Sequence, residues 1–317
     1  MTATQPRQRS ARFLAAAAWV AAGFVVLLLI MIVALLGRLG PTEAAGGNVA
    51  VIRVEGPIAT SGGDSLFGAS AGSDELAGDI RDAADDKQIK AIVLRINSPG
   101  GSPAAAQEIY AEVRRARKKG KVVVASLGDL AASGGYYIAA GADHIVADPG
   151  TLTGSIGVIF MQTDLSGLFR KVGANVEVLK MGRYKDMTSG QRPLTAEERE
   201  MTLAMLGDIY DQFVDAVAEG RKLPREKVLQ VATGRIFTGR QAMKLHLVDE
   251  LGGYLDAVDL AGKKAGVRPK VVEYGHDSVL DWLVGSAETR TGLENLAADP
   301  RMAAAQSILR WGAPWGN

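Results

Sequence analysis

The 317-residue chain has no cysteine, which excludes a disulfide framework, a thiolate zinc or iron–sulfur centre and a cysteine nucleophile. Its three histidines are too few to suggest a dedicated imidazole metal site. An excess of either charge is missing as well. The chain carries 36 basic and 35 acidic residues, so it has no electrostatic footprint of a nucleic-acid partner. Chemistry is left to hydroxyls, carboxylates, lysines and backbone amides, and no metal or organic cofactor is expected.

What the chain does have is apolar residues, 47% against 22% charged, enough for a sizeable core and too many for a disordered protein. Its length fits one catalytic domain with an appendage. Residues 13–36 are apolar apart from one glycine, and at about 1.5 Å per helical residue they span a hydrocarbon core of about 30 Å. Arg7, Arg9 and Arg12 precede this run without an acid, and only Arg38 closely follows it. The asymmetry predicts one transmembrane helix, with residues 1–12 cytoplasmic and the body outside. The run exceeds the about 7 to 15 apolar residues of a cleaved signal peptide, so an uncleaved anchor is expected. Residues 37–48 read as a linker and 49–270 as the catalytic domain. Residues 271–317, with Trp282, Trp311 and Trp315, read as a tail suited to a partner-binding or membrane-surface helix, or as a frayed end.

Within the body, short β-branched runs alternate with amphipathic stretches, the order of an α/β domain. Strands are predicted at 49–54, 89–96, 122–126 and 145–147, and a glycine-rich loop at 61–73. Helices are predicted at 74–84, at 133–140, from Thr195, and after the turn Ser98-Pro99-Gly100-Gly101-Ser102-Pro103. The run 89–96 is almost wholly apolar, which suits a central strand covered on both faces. Cations from Arg114 to Lys119 ahead of Gly120 mark a helix C-terminus. Thr195 with Glu198 makes a capping box, and Leu206, Ile209, Phe213 and Val217 form a helical stripe expected to face the core.

Ser133 stands after a strand, at a helix start, ahead of Gly134 and Gly135. Backbone N–H groups point outward there, and glycine leaves room for an approaching carbonyl. A serine in that place serves equally as an N-cap, and Ser133 is not part of a Gly-x-Ser-x-Gly elbow. None of His144, His246 and His276 sits in a pattern suggesting a catalytic imidazole. A lysine can replace it where the surroundings favour the free amine, because an ordinary lysine, pKa about 10.4, is only about 0.04% neutral at pH 7. The candidate is Lys185, in Gly182-Arg183-Tyr184-Lys185-Asp186-Met187, its plain alternative being a solvated surface lysine. Gly100 and Gly101 offer either an oxyanion-binding N–H or an ordinary tight turn, and no Gly-Lys-Ser or Gly-Lys-Thr follows to make a phosphate loop. Ser155, also flanked by glycine and hydroxyl residues, is the alternative nucleophile.

Five motifs occur in order: Val51-Ile52-Arg53-Val54-Glu55-Gly56-Pro57-Ile58; Arg95-Ile96-Asn97-Ser98-Pro99-Gly100-Gly101; Ala131-Ala132-Ser133-Gly134-Gly135-Tyr136-Tyr137; Thr151-Leu152-Thr153-Gly154-Ser155-Ile156-Gly157-Val158; and Gly182-Arg183-Tyr184-Lys185. Over roughly residues 49–253 the chain thereby resembles the signal peptide peptidase A family of membrane-anchored Ser/Lys proteases, in its short, single-repeat form. The resemblance implies a fold like that of crotonases and caseinolytic protease subunits. It also implies Ser133 as nucleophile, Lys185 as general base, Ser155 as the group orienting the lysine, and Gly134 with Gly100 and Gly101 as the oxyanion hole. It implies a homo-oligomer in which the lysine comes from a neighbouring subunit. The implied substrates are remnant signal peptides and other apolar or unfolded segments, cleaved outside a bacterial-type inner membrane. Two departures stand out: His246 precedes Leu247-Val248-Asp249 where relatives often have glycine, and Asp186-Met187-Thr188-Ser189-Gly190 replaces the commoner Ser-Pro ending. Rival readings are a crotonase-like enzyme stabilising a thioester enolate, a noncatalytic membrane scaffold, and a regulatory protease of membrane proteins with the same chemistry.

Overall fold

Strand β1 (Val49–Glu55) buries Val49, Ala50, Val51 and Ile52 completely, which requires cover on both faces of the sheet. After it, β2 (Ile58–Ala59), β3 (Gly63–Ser65) and β4 (Gly68–Gly72) form a small sheet of order β2-β4-β3, where the sequence predicts a loop. Next come α1 (Ser73–Asp85), β5 (Ala91–Ser98), α2 (Pro103–Lys118), β6 (Val122–Ala132), α3 (Gly134–Ala140), β7 (His144–Ala147) and β8 (Leu152–Gly154). The chain continues through α4 (Ser166–Lys171), α5 (Ala196–Arg221), α6 (Arg225–Val231), β9 (Ile236–Thr238), α7 (Gly239–Lys244), β10 (Glu250–Leu251), α8 (Tyr254–Lys264) and β11 (Val271–Tyr274). This computed structural model describes residues 26–28, 47–65 and 68–275, and residues 45–275 form one compact unit.

The main sheet has eight strands: the parallel path β10-β7-β6-β5-β1-β11, with β8 parallel to the end of β6 and β9 antiparallel to β8. Alternate residues of its strands divide between two cores. Val49, Val51, Val93 and Val124 pack against Ala257, Val258 and Ala261 of α8. Ile52, Ile92 and Leu94 face the other way, with Ile80 of α1 and Ile109 of α2. Each such side chain, fully buried, contributes about 1.5–3 kcal/mol from lost apolar exposure. The expected α/β class is observed, as helices on both faces of a mostly parallel sheet.

Several expectations shift at element ends. Strand β6 does not stop at Ser126 but continues to Ala132, because β7 pairs with its first half and β8 with its last three residues. The sheet also outruns the expected domain end at Lys270, since β11 pairs with β1 from Val271 to Tyr274. In α5 the expected stripe holds in part: Phe213 and Val217 are buried, while Leu206 and Ile209 are half-buried. Outside that stripe Met201, Leu203 and Met205 are exposed, whereas Glu198 and Thr202 of the same turns are buried.

The expected membrane span at 13–36 lies outside the described residues except for 26–28, which are helical. Among the described residues, no helix is long and apolar enough to cross a membrane. His276 and the three tail tryptophans also lie outside them.

Candidate active site

The C-terminal ends of β5, β6 and β8 converge, and each delivers one expected element of the site. At the end of β6, Ser133 takes φ 52° and ψ −121°, a left-handed conformation costing a non-glycine residue about 1–3 kcal/mol. Its N–H donates to Gly154 O at 2.9 Å, and its carbonyl accepts from Tyr137 N at 2.9 Å. Ser133 Oγ makes no capping hydrogen bond to α3. The hydroxyl is therefore not spent on ending a helix, which removes the plain N-cap explanation.

Strand β8 runs parallel to the end of β6 with Ala132 opposite Gly154, so Ser155 follows level with Ser133. Ser155 also has φ 52°, and its N–H donates to Arg235 O at 2.8 Å. Paired strand ends thus deliver two hydroxyls, both on constrained backbone, to one edge of the sheet.

The third element is the turn after β5. A Cβ added at Gly100, where φ is +96°, would fall 2.6 Å from Gly134 N and 2.8 Å from Ser133 Cβ. One on Gly101 would fall 2.1 Å from Ile58 O. Glycine is required at both positions because backbone presses on backbone. The two glycines differ in what they can donate. Gly100 N–H donates to Ser98 Oγ at 3.1 Å, and that buried hydroxyl donates to Gly56 O at 2.6 Å. Gly101 N–H has no acceptor among the described residues, and Gly134 N–H, first in α3, has no intrahelical one. Gly101 and Gly134 therefore offer the two free donors beside Ser133, while Gly100 provides the close approach. Ser98, which sequence reasoning quotes only as part of a motif, holds this turn; its place between a central strand and a Pro-Gly-Gly turn is the available signal.

Lys185 lies elsewhere in the chain's architecture. Residues 157–192 carry only the short helix α4 and expose Ile159, Met161, Leu179 and Met181 at 80%, 84%, 87% and 94%. Lys185 is exposed, and among the described residues no hydrogen bond or ion pair joins it to Ser133 or Ser155. Its neighbour Asp186 accepts from Arg192 and Lys180, which hold its carboxyl far below the usual range. Glu198 accepts from Arg192 and from Thr195 N–H, which push it down to about 2.

The histidines do not join the site. His144 pairs with Val124, eight residues before Ala132 on β6, or about 26 Å along a strand. His246 occupies the turn after α7 at φ 59°, the left-handed conformation for which glycine is the natural choice.

Comparison with known proteins gives a consistent result. The model of peptidase family S49 matches residues 115–268, and that of Clp protease matches residues 76–147, in keeping with the parallel α/β architecture. A Synechocystis protein named protease slr0021 is 49% identical over 60% of this chain and 68% of its own length. A signal peptide peptidase SppA of Enterococcus faecium is 34% identical over 81% of this chain and 76% of its own. Protease 4 of Salmonella typhi is 39% identical over 76% of this chain but only 39% of its own length.

Proposed function

The chain belongs to peptidase family S49, and from that premise we propose that it is a membrane-anchored serine endopeptidase with a Ser133–Lys185 dyad. The observation that carries this reading is the strained, uncapped Ser133 beside the free N–H groups of Gly101 and Gly134. Ser133 Oγ attacks the scissile carbonyl while the neutral Lys185 amine takes its proton. The two N–H groups receive the developing oxyanion. Collapse breaks the C–N bond, the proton passes from Lys185 to the leaving amine, and an ester on Ser133 remains. Water then attacks that ester as Lys185 takes its proton, the acid is released, and the proton returns to Ser133 Oγ. Ser155, level with Ser133, orients the lysine by accepting its N–H.

Lys185 is supplied by a neighbouring copy of the chain. The absence of any link between Lys185 and Ser133 within one chain, and the exposed apolar segment 157–192 that carries the lysine, support this arrangement. Residues 13–36 anchor the enzyme with its body outside the membrane. The substrates are remnant signal peptides and other apolar or unfolded segments released there. The test is hydrolysis of fluorogenic apolar peptides by the assembled full chain. Ser133→Ala and Lys185→Ala abolish turnover, while Ser155→Ala reduces it about 10- to 100-fold as an orienting contact is lost. Undiminished cleavage by Ser133→Ala, or an inert wild type, rejects the reading.

A further inference from the structure

The four residues from Arg183 to Asp186 are all polar, and three of them are tied to the start of α5. Arg183 Nη2 donates to Glu197 Oε2 at 2.5 Å, and the Tyr184 hydroxyl donates to the other Glu197 oxygen. Asp186 reaches the same turn through Arg192. That guanidinium uses all of its N–H donors, to Asp186 Oδ2 at 3.0 Å and Oδ1 at 2.8 Å, to Glu198 Oε1 at 2.7 Å and Oε2 at 2.8 Å, and to Pro193 O at 3.1 Å. Lys180 Nζ adds a bond to Asp186 Oδ1 at 2.5 Å. Lys185 alone of the four has a side chain without a partner among the described residues.

An exposed loop has little reason to bury two carboxylates around one arginine for stability, since surface ion pairs contribute little. Here, however, the Asp186 and Glu198 side chains are only 10% and 3% exposed, and the arginine binds both in the two-pronged manner that fixes direction as well as distance. Glu198 is in turn fixed by its capping-box bonds with Thr195. The frame immobilises the residues on both sides of Lys185 and leaves its amine free. We propose that Arg192 is a positioning residue for Lys185, setting the direction in which the loop presents the amine by locking Asp186 to Glu198. The role rests on Lys185 being the general base.

The experiment compares kcat and KM of the full-length wild type, Arg192→Ala, Arg192→Lys and Lys185→Ala on one fluorogenic apolar peptide, with assembly followed by size exclusion. Misdirecting a catalytic group by about 1 Å costs about 10²-fold, so Arg192→Ala is expected to lose about that factor in kcat with KM and assembly unchanged. Arg192→Lys keeps the charge without the fork and is expected to fall between the two. Wild-type kcat in assembled Arg192→Ala overturns the proposal. So does loss of assembly in both Arg192 variants, which marks the residue as structural; if only Arg192→Ala fails to assemble, an unaltered kcat in Arg192→Lys overturns it. Turnover by Lys185→Ala removes the base assignment itself, whatever Arg192 does.

Discussion

Among the described residues, four occupy backbone that favours glycine without being glycine, Ser133, Ser155, Lys222 and His246, and they do so for different reasons: Lys222, at φ 54°, is the left-handed cap that ends α5. Ser133 and Ser155, both at φ 52°, stand at the ends of two paired strands, where the proposed chemistry accounts for keeping a strained hydroxyl residue in place of glycine. His246, at φ 59°, has no such role: its N–H and the N–H of Leu247 simply close the turn after α7 on Met243 O and Ala242 O. A left-handed non-glycine residue costs about 1–2 kcal/mol, partly offset by glycine's larger entropy in the unfolded chain. His246→Gly is therefore expected to stabilise the fold by about 0.5–1 kcal/mol and raise the urea midpoint without changing turnover. A lower midpoint would mean that the imidazole contributes contacts the turn geometry does not reveal.

Among the elements, α5 carries the clearest electrostatic signature. Its first turn holds Glu197 and Glu198 at the positive end of the helix dipole, and Arg192 and the Thr195 N–H lower Glu198 from its ordinary 4.5 to about 2. A carboxylate depressed on folding adds stability that is complete above its unfolded pKa and is lost as pH falls through its folded one. The stability gap between wild type and Glu198→Gln should accordingly be full above about pH 4.5 and gone by about pH 2, as read from denaturant midpoints across that range. A gap independent of pH would place the effect in capping geometry rather than charge. The capping box itself was legible, because Thr195 and Glu198 are three residues apart and their bonds are local. So were the central strands, whose apolar runs reflect burial on both faces. Arg192 was not legible: its partners Asp186 and Glu198 flank it at equal sequence distance, and a surface charge cluster reads the same way. The sequence predicts β6 only as far as Ser126, and Gly128 just beyond it is a residue that normally weakens a strand. Here Gly128 fits because the Asn97 side chain lies close to it and its carbonyl accepts from Thr151 Oγ1 at 2.8 Å.

At the scale of the whole molecule, the fold presents Ser133, the proposed nucleophile, and the free N–H groups of Gly101 and Gly134 at one edge of the sheet, and Lys185 on the segment 157–192, which exposes several apolar side chains. A motif read along the sequence lists Ser133 and Lys185 together without saying whether they belong to one chain or two. The division between core and outlying segment speaks for two, and under the proposed dyad oligomerisation would be part of catalysis. A head-to-tail interface, in which each copy gives its lysine to the next, closes into a ring when the rotation between copies closes on itself. The most direct measurement mixes two inactive full-length variants, Ser133→Ala and Lys185→Ala, by joint refolding or coexpression, with mixed assemblies isolated on two affinity tags. Each parent lacks one half of every site, but an equal mixture regains intact sites wherever a Lys185→Ala chain meets the lysine of a Ser133→Ala neighbour, about a quarter of all sites for random ring assembly. The account predicts recovery of peptide hydrolysis to about that fraction of the wild-type rate; verified mixed assemblies that stay inert would contradict it.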